Sequence, residues 1–403
     1  MDKTPGLGAR RAAIKLLDAV LRRGQPLEAA LAAATQGVDK PEDRALARAI
    51  AAETLRHLPD LDALIDSATR QRLPDDAKAR TVLRMALAQV LVLGTAEHAA
   101  VATALPLVDG GPRKLVHGVL GTLLRNKATL PERPTLPDAV LARWDARLAA
   151  IASMAMAEPP PVDLTLRDPS QTEDWAERMG GQSLMPGHVR LPRGTAIPEL
   201  PGFDEGGWWV QNIAASIPAR LLGGGGGRAV LDLCAAPGGK TMQLAAAGWE
   251  VTALDQDRAR IVRLEDNLAR TRLAAKVVTA DLMRWEPAEP VDAILLDAPC
   301  SATGIFARHP DVLHRVRPKD IAMLAAQQTA MIARVARWLK PGGTLIYATC
   351  SLEHQEGEDQ VPPALSTGLR LKPVKAEELG TGLSPSHEGW LRILPENHAD
   401  GFF

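Results

Sequence analysis

Three cysteines, three carboxylates and one small-residue loop are the groups in this sequence whose types and spacing could do chemistry. Cys300 stands in Asp297-Ala298-Pro299-Cys300-Ser301 and Cys350 in Tyr347-Ala348-Thr349-Cys350-Ser351, 50 residues apart. Each follows a short apolar run, 291–296 or 344–348, of the kind that forms a buried strand. Both sulfurs therefore leave strands at one sheet edge and can converge on one cavity. A lone cysteine is more often inert packing, and Cys234, in a tight turn, keeps that reading. Three cysteines with no CxxC or Cys/His pairing build neither a disulfide framework nor a metal cluster, so each is explained singly, as packing or as a nucleophile.

The loop Leu231-Asp232-Leu233-Cys234-Ala235-Ala236-Pro237-Gly238-Gly239-Lys240-Thr241 joins a strand to a helix. Its small residues let a ligand touch backbone and helix-terminal N–H groups. A phosphate-cradling P-loop needs glycine where Cys234 stands, and Pro237 removes an amide that would face phosphate. The G-x-G-x-x-G dinucleotide fingerprint is absent as well. A ligand with an adenosine and a small zwitterionic tail, such as S-adenosylmethionine, fits better. Asp255 closes the second strand, 23 residues after Asp232, where an acid accepts hydrogen bonds from ribose hydroxyls. Asp281 ends the third strand and Asp297 the fourth, so three acids line the crevice at which parallel sheets bind ligands. Lys240 reads either as a contact to a ligand carboxylate or RNA phosphate, or as a solvated lysine at a helix start.

These groups need a frame to hold them. After the run Gly223 to Gly227, which marks a boundary, strands are expected at 229–233, 251–254, 276–279, 291–296 and 344–348, with helices at 239–247, 257–270 and 318–339. The breaker Lys340-Pro341-Gly342-Gly343 precedes the last strand. Such alternation predicts an α/β fold, a mostly parallel Rossmann-like sheet covered on both faces. From about residue 8 to 127 the apolar spacing is helical, punctuated at Gln25-Pro26, Lys40-Pro41, Leu58-Pro59, Leu73-Pro74 and Gly110-Gly111-Pro112, which predicts a bundle of six or seven short helices. Pro131, Pro134 and Pro137, then Pro159-Pro160-Pro161, mark a linker and the entry to a small mixed segment. The expected domains are 1–130, all-α; 137–220, small and mixed; and 221–403, catalytic.

The chain has 403 residues, 46% hydrophobic and 24% charged, enough for two or three domains of about 150 residues. No run of about 18 apolar residues lacks charges or breakers, and Met1-Asp2-Lys3-Thr4-Pro5-Gly6 lacks the apolar stretch of a secretory signal, so a cytoplasmic address is expected. The net charge of -1 hides an asymmetry, because residues 1–136 hold 20 Lys and Arg against 15 Asp and Glu. A basic front half suits a polyanion partner or a solvated helical surface.

Taken in order, the CAAPGGKT loop, DAPCS around Cys300 and ATCS around Cys350 resemble the Sun/Nop-type RNA cytosine-5 methyltransferases. Arg308-His309-Pro310-Asp311 and Glu356-Gly357-Glu358 extend the resemblance over residues 208 to 360. The front half resembles a NusB-like RNA-binding domain through Glu97-His98-Ala99-Ala100-Val101 and Lys114-Leu115-Val116-His117-Gly118-Val119-Leu120, which points to the B-type branch acting on small-subunit ribosomal RNA. The chain departs from the family pattern at Asn212 (usually Asp), Ala302 (usually Gly) and His117 (usually Asn), and it reaches Asp400-Gly401-Phe402-Phe403 where the family's last strand is expected to begin.

The resemblance implies S-adenosylmethionine as methyl donor, held by Cys234, Ala235, Ala236, Pro237, Gly238, Gly239, Lys240, Asp255, Asp281 and Asp297, and RNA as partner for a monomeric enzyme. It implies Cys350 as the covalent nucleophile at carbon 6 of cytosine, Asp297 as the acid that holds the ring, and Cys300 as the group of the release step. The chemistry agrees: carbon 5 is too weak a nucleophile until a soft thiolate adds to the ring, and the base must leave its stack to be reached. Trp208-Trp209 could stack on a base or pack in the core; Arg308 and His309 could guide the strand or cap a turn. A non-catalytic RNA-binding or antitermination module, a methyltransferase for another acceptor and a P-loop ATPase are the alternatives. The first two have no need of the paired cysteine motifs.

Overall fold

The computed structural model describes residues 5–158, 160–379 and 382–403. The terminal stretch Met1 to Thr4 and the first proline of Pro159-Pro160-Pro161, both used in the sequence reading, lie outside the described residues. The chain divides into two compact units, Met1–Glu158 with Phe306–Arg317, and Pro159–Ile305 with Pro318–Phe403.

The first unit is helical: α1 (Leu7–Leu21), α2 (Leu27–Ala34), α3 (Pro41–Arg56), α4 (Leu58–Ser67), α5 (Lys78–Leu91), α6 (Glu97–Ala104), α7 (Gly111–Arg125), α8 (Asp138–Leu141) and α9 (Ala146–Ala157). Proline stands at the first turn of α3 and α4, where its missing N–H has no intrahelical partner to lose. Helix α5 buries Val82, Leu83, Met85, Ala86, Leu87 and Ala88, so even its arginines must be satisfied internally. Arg80 donates to Asp62 and Asp66, and Arg84 to Asp62, all in or beside α4.

This unit runs to residue 158 rather than 130, and it takes in Phe306–Arg317, a segment the sequence reading placed in the catalytic domain. The reason is packing. Phe306 is wholly buried with its ring 6.0 Å from that of Trp144. Arg56 donates to the carbonyls of Met156 and Ala307, and the Leu27 amide at the start of α2 donates to the Asp311 carboxylate. The helical turn α14 (Val312–Arg315) brings His314 Nε2 within 2.7 Å of the Leu55 carbonyl, to which it donates.

Three histidines of the unit have pKa values depressed by burial: His57, His309 and His314. A depressed histidine is neutral in the folded chain at a pH where the unfolded chain has taken a proton. Its stabilisation is therefore complete above the ordinary value near 6.5 and is lost as pH falls from there toward the depressed value, at up to about 1.4 kcal/mol per pH unit for each group. Urea unfolding followed between pH 7.5 and 5.5 is expected to show the helical unit weakening on acidification, with a shallower slope in His314→Gln. A midpoint that does not move with pH contradicts this.

The second unit holds two sheets. The smaller is antiparallel, ordered β2-β1-β3 from β1 (Val162–Leu166), β2 (His188–Leu191) and β3 (Trp208–Val210), with α10 (Thr172–Met179) against it. The larger is parallel, ordered β6-β5-β4-β7-β8, from β4 (Ala229–Leu233), β5 (Glu250–Asp255), β6 (Lys276–Thr279), β7 (Val291–Asp297) and β8 (Leu339–Ala348). Its crossovers carry α12 (Gly239–Ala246), α13 (Arg258–Thr271) and α15 (Pro318–Val335); α11 (Ile213–Arg220) precedes the sheet and α16 (Val361–Leu365) follows it. Alternate residues face opposite layers. Leu231, Leu233, Ile294 and Leu296 pack with Met331, Ile332 and Val335 of α15, whereas Val230, Ala293 and Leu295 pack with Leu244 of α12. The chain runs outward from β4 to β6 and returns to β7, so strand order reverses between β4 and β7, at whose C-terminal ends such sheets bind ligands.

Two punctuation signals have a different outcome from the expected one. The run Gly223 to Gly227 is no linker between units. It is a packed turn in which Gly225 and Gly227 donate to the Ala247 and Gly248 carbonyls, and a side chain at Gly225 would approach the Trp249 nitrogen to 2.4 Å. Lys340-Pro341-Gly342-Gly343 lies within β8 as a bulge, since the register with β7 jumps from Val291↔Leu339 to Ala293↔Thr344.

Candidate active site

Every proposed site group lies at the C-terminal edge of the parallel sheet. After β4 the chain turns through Cys234, at φ +61°, and Gly238, at φ +103°, where a side chain would press on Leu264. The turn is pinned at several points. The Ala235 amide donates to the Leu254 carbonyl and the Ala236 amide to Asp255, while Asn267 and Arg260 donate to the Pro237 and Ala236 carbonyls. Asp255 is thus an anchor of the loop, since its other oxygen accepts from the Asp257 amide. Burial pushes the Cys234 thiol up to about 12, which suits its reading as a packing residue.

Asp232, inside β4, was not among the sequence-based site residues. The signal was an acid in the otherwise apolar run Val230-Leu231-Asp232-Leu233. It is fully buried, accepts from Thr241 Oγ1 at 2.5 Å, and keeps its second oxygen without a partner among the described residues. Burial raises it to about 7. A buried carboxylate oxygen without a donor, beside a loop of small residues, fits a ligand that brings an ammonium group, as the amino-acid tail of S-adenosylmethionine does.

Asp281 follows β6 and accepts from the Met283 amide. Asp297 ends β7 with 30% of its side chain exposed, and Lys240 Nζ stands 2.8 Å from its Oδ2. Lys240 is therefore neither a solvated helix-start lysine nor free for phosphate: it is ion-paired, with the Phe402 ring 5.1 Å away.

Cys300 and Cys350 meet, with 3.5 Å between their sulfurs. The hydrogen bond with Cys350, followed by burial, pushes the Cys300 thiol well above the ordinary value. Either sulfur can donate to the other across this contact. The loops behind them approach closely. The Gly304 amide donates to the Cys350 carbonyl, and a side chain at Gly304 would reach the Gly401 oxygen at 2.0 Å. Ala302, the departure from the family's glycine, is left-handed at φ +59°. Residues 401–403 complete this edge, since Phe403 exchanges two backbone hydrogen bonds with Thr349 and the Gly401 amide donates to the Gly304 carbonyl. A cavity of about 740 Å³ opens along the outer side of β8, between α11 and Trp390, and neither cysteine lines it.

Other residues singled out in the sequence have these surroundings. Trp208 and Trp209 are 0% and 2% exposed, each with its indole N–H donated internally, to Pro201 and Gln211, so neither is free to stack on a base. Arg308 and His309 fold with the helical unit. Asn212 caps α11 by accepting from the Ala214 amide and donates its amide to Asp163, which the family's aspartate has no hydrogen to do.

Two family models match successive parts of the chain. Residues 220–403 match the family model of the 16S rRNA methyltransferase RsmB/F, and residues 7–125 match the NusB family. The ribosomal RNA small subunit methyltransferase B of Xanthomonas campestris pv. campestris is 34% identical over 99% of this chain and 96% of its own. That of Vibrio vulnificus is 32% identical over 98% of each. Among solved structures, PH0851 shares the fold with a TM-score of 0.74 at 22% identity, covering 99% of this chain and 98% of that one. A methyltransferase homolog protein from Pyrococcus horikoshii has a TM-score of 0.54 at 28% identity, covering 66% and 92%. With near-complete coverage by such relatives and both family models in order along its sequence, the chain belongs to the RsmB/F family of S-adenosylmethionine-dependent RNA methyltransferases, with a NusB-family helical unit at its front.

Proposed function

We propose that this enzyme methylates carbon 5 of a cytosine in small-subunit ribosomal RNA in the cytoplasm, through a covalent bond between Cys350 and the base. The observation that carries this reading is the 3.5 Å approach of two thiols from loops 50 residues apart at the sheet edge beside the donor loop. S-adenosylmethionine, when bound, supplies the electrophilic methyl group. The loop from Cys234 to Lys240 would hold it with Asp255, Asp281 and Asp297, and the unpartnered oxygen of Asp232 would accept from its ammonium.

Cys350 adds as thiolate to carbon 6, forming a carbon–sulfur bond and moving the ring electron pair to carbon 5, which then takes the methyl. Asp297 holds the ring at the N3 and exocyclic-amine edge, where charge develops. Cys300 serves the release step, as or beside the base that removes the carbon-5 proton. That proton's electron pair restores the ring double bond, and the carbon–sulfur bond breaks to return the Cys350 thiolate. All these side chains belong to one chain, so the reading needs no second copy.

The test is RNA carrying tritium at carbon 5 of its cytosines. Methyl transfer at that carbon releases tritium in equal amount, whereas methyl incorporation without tritium release overturns the assignment and points to another acceptor.

A further inference from the structure

We infer that Glu356 is a positioning residue that holds the two cysteine loops at their working separation. The inference rests on the covalent reading above. Glu356 is 0% exposed, and its carboxylate lies between the loops that follow β7 and β8. It accepts from the backbone amide of Ser301 at 2.9 and 3.2 Å and also from the Ser301 hydroxyl. It further accepts from Ser351 Oγ at 2.6 Å and from Gln328 Nε2 at 3.1 Å.

Ser301 and Ser351 are the residues immediately after Cys300 and Cys350, so one carboxylate ties down the neighbour of each sulfur. The main chain of Glu356 is fixed in turn, because its carbonyl accepts from Tyr347 Oη and Thr349 Oγ1, both on the approach to Cys350. A second tie runs alongside: the Leu352 amide donates to Thr303 Oγ1.

The chemistry of this arrangement requires a carboxylate. Hydroxyls can reverse their hydrogens, but the Ser301 amide and the Gln328 NH₂ can only donate, and both aim at Glu356 Oε1. Glutamine has the same shape but offers one accepting oxygen in place of two: with that oxygen kept for the two obligatory donors, its NH₂ falls on the Ser301 and Ser351 hydroxyls, which must both turn their hydrogens away although Ser351 Oγ already accepts from the Glu353 amide. A buried polar group left without its partner is costly enough to move the loop that carries it. The charge of Glu356 also contributes to raising the Cys300 thiol, after Cys350 and burial, and so helps keep the proton on Cys300.

The closing experiment uses the full chain and two readouts, of which one does not depend on methyl transfer. Diamide takes two electrons and two protons from a neighbouring thiol pair and closes it to a disulfide, so its rate on Cys300 and Cys350 reports their separation. In Glu356→Gln that rate is expected to fall at least about tenfold, and kcat about 100-fold, while the RNA KM and the S-adenosylmethionine Kd stay within about threefold. Closure and kcat both unchanged overturns the inference; so does a parallel loss of donor binding and kcat, which marks a merely structural role. Should Glu356→Gln fail to fold, Ser301→Ala, which removes one hydroxyl donor and no backbone group, is expected to lower kcat about tenfold with KM unchanged, and an unaltered kcat there overturns it equally. If wild-type enzyme methylates without releasing tritium, the covalent reading fails, and the diamide rate still decides the role of Glu356.

Discussion

Alanine at Cys350 is expected to lower methyl transfer by about 10⁴- to 10⁶-fold, leaving the affinity for S-adenosylmethionine within about threefold of wild type. The size of the loss follows from the chemistry. Without a sulfur to add at carbon 6, carbon 5 of the pyrimidine has no electron pair to offer, and no other group at this edge is a soft nucleophile held ready. Cys300 is not a substitute, because with Cys350 gone its thiol is still raised by burial and by the Glu356 charge. Donor binding is spared because most of the residues proposed to hold it leave β4, β5 and β6, two strands or more from β8, and Asp297 on β7 keeps its pairing with Lys240.

The counterpart variant separates the two sulfurs. Cys300→Ala removes a group of the release step and leaves the attacking one, so RNA is expected to stay attached to Cys350 and to migrate with the protein on a denaturing gel. Cys350→Ala is expected to form no such adduct. The opposite outcome, normal turnover in Cys300→Ala and a trapped complex in Cys350→Ala, exchanges the roles of the two thiols.

Strand placement made the cysteine pair legible in the sequence. Each cysteine closes an apolar run, and parallel neighbouring strands must deliver their next residues to the same edge, which is how residues 50 apart end with sulfurs in contact. The acids at strand ends were legible for the same reason. What surrounds them was not. Glu356 meets Ser301 across 55 residues of sequence, and its partners are loop hydroxyls and amides that carry no periodic signal. The pairing of Lys240 with Asp297 is likewise a matter of the first turn of α12 meeting the end of β7. Phe306–Arg317 leaves the sheet domain for the helical unit because one phenylalanine and a few carbonyls find partners there, a choice made by tertiary packing that no local pattern announces. The glycine run misled in the other direction: read as flexible, it is packed at its centre, where Trp249 and Gly248 stand too close for a side chain at Gly225. Aromatic type alone also says little, since Trp208 and Trp209 serve the core.

Asp297→Asn is expected to lower kcat/KM by about 10²- to 10⁴-fold, the range for a positioned group that manages charge or protons in a transition state. Asp297 is the last residue of β7, three residues before Cys300, and it keeps 30% of its side chain open while Lys240 occupies Oδ2. Asparagine can still accept from Lys240 through its oxygen, so the loop should persist; the change is that one accepting edge becomes a donor with no exchangeable charge. If Asp297 holds the cytosine where negative charge develops on thiolate addition, the defect persists at saturating S-adenosylmethionine and appears in kcat. If its role is confined to the donor, saturating S-adenosylmethionine restores turnover. Lys240→Met provides the control, since it removes the cation and leaves the carboxylate: a ring-holding Asp297 then retains most of its kcat, whereas equal losses in the two variants assign the effect to the ion pair itself. A kcat within tenfold of wild type in Asp297→Asn at saturating donor removes this residue from the proposed mechanism and leaves ring activation to Cys350 alone.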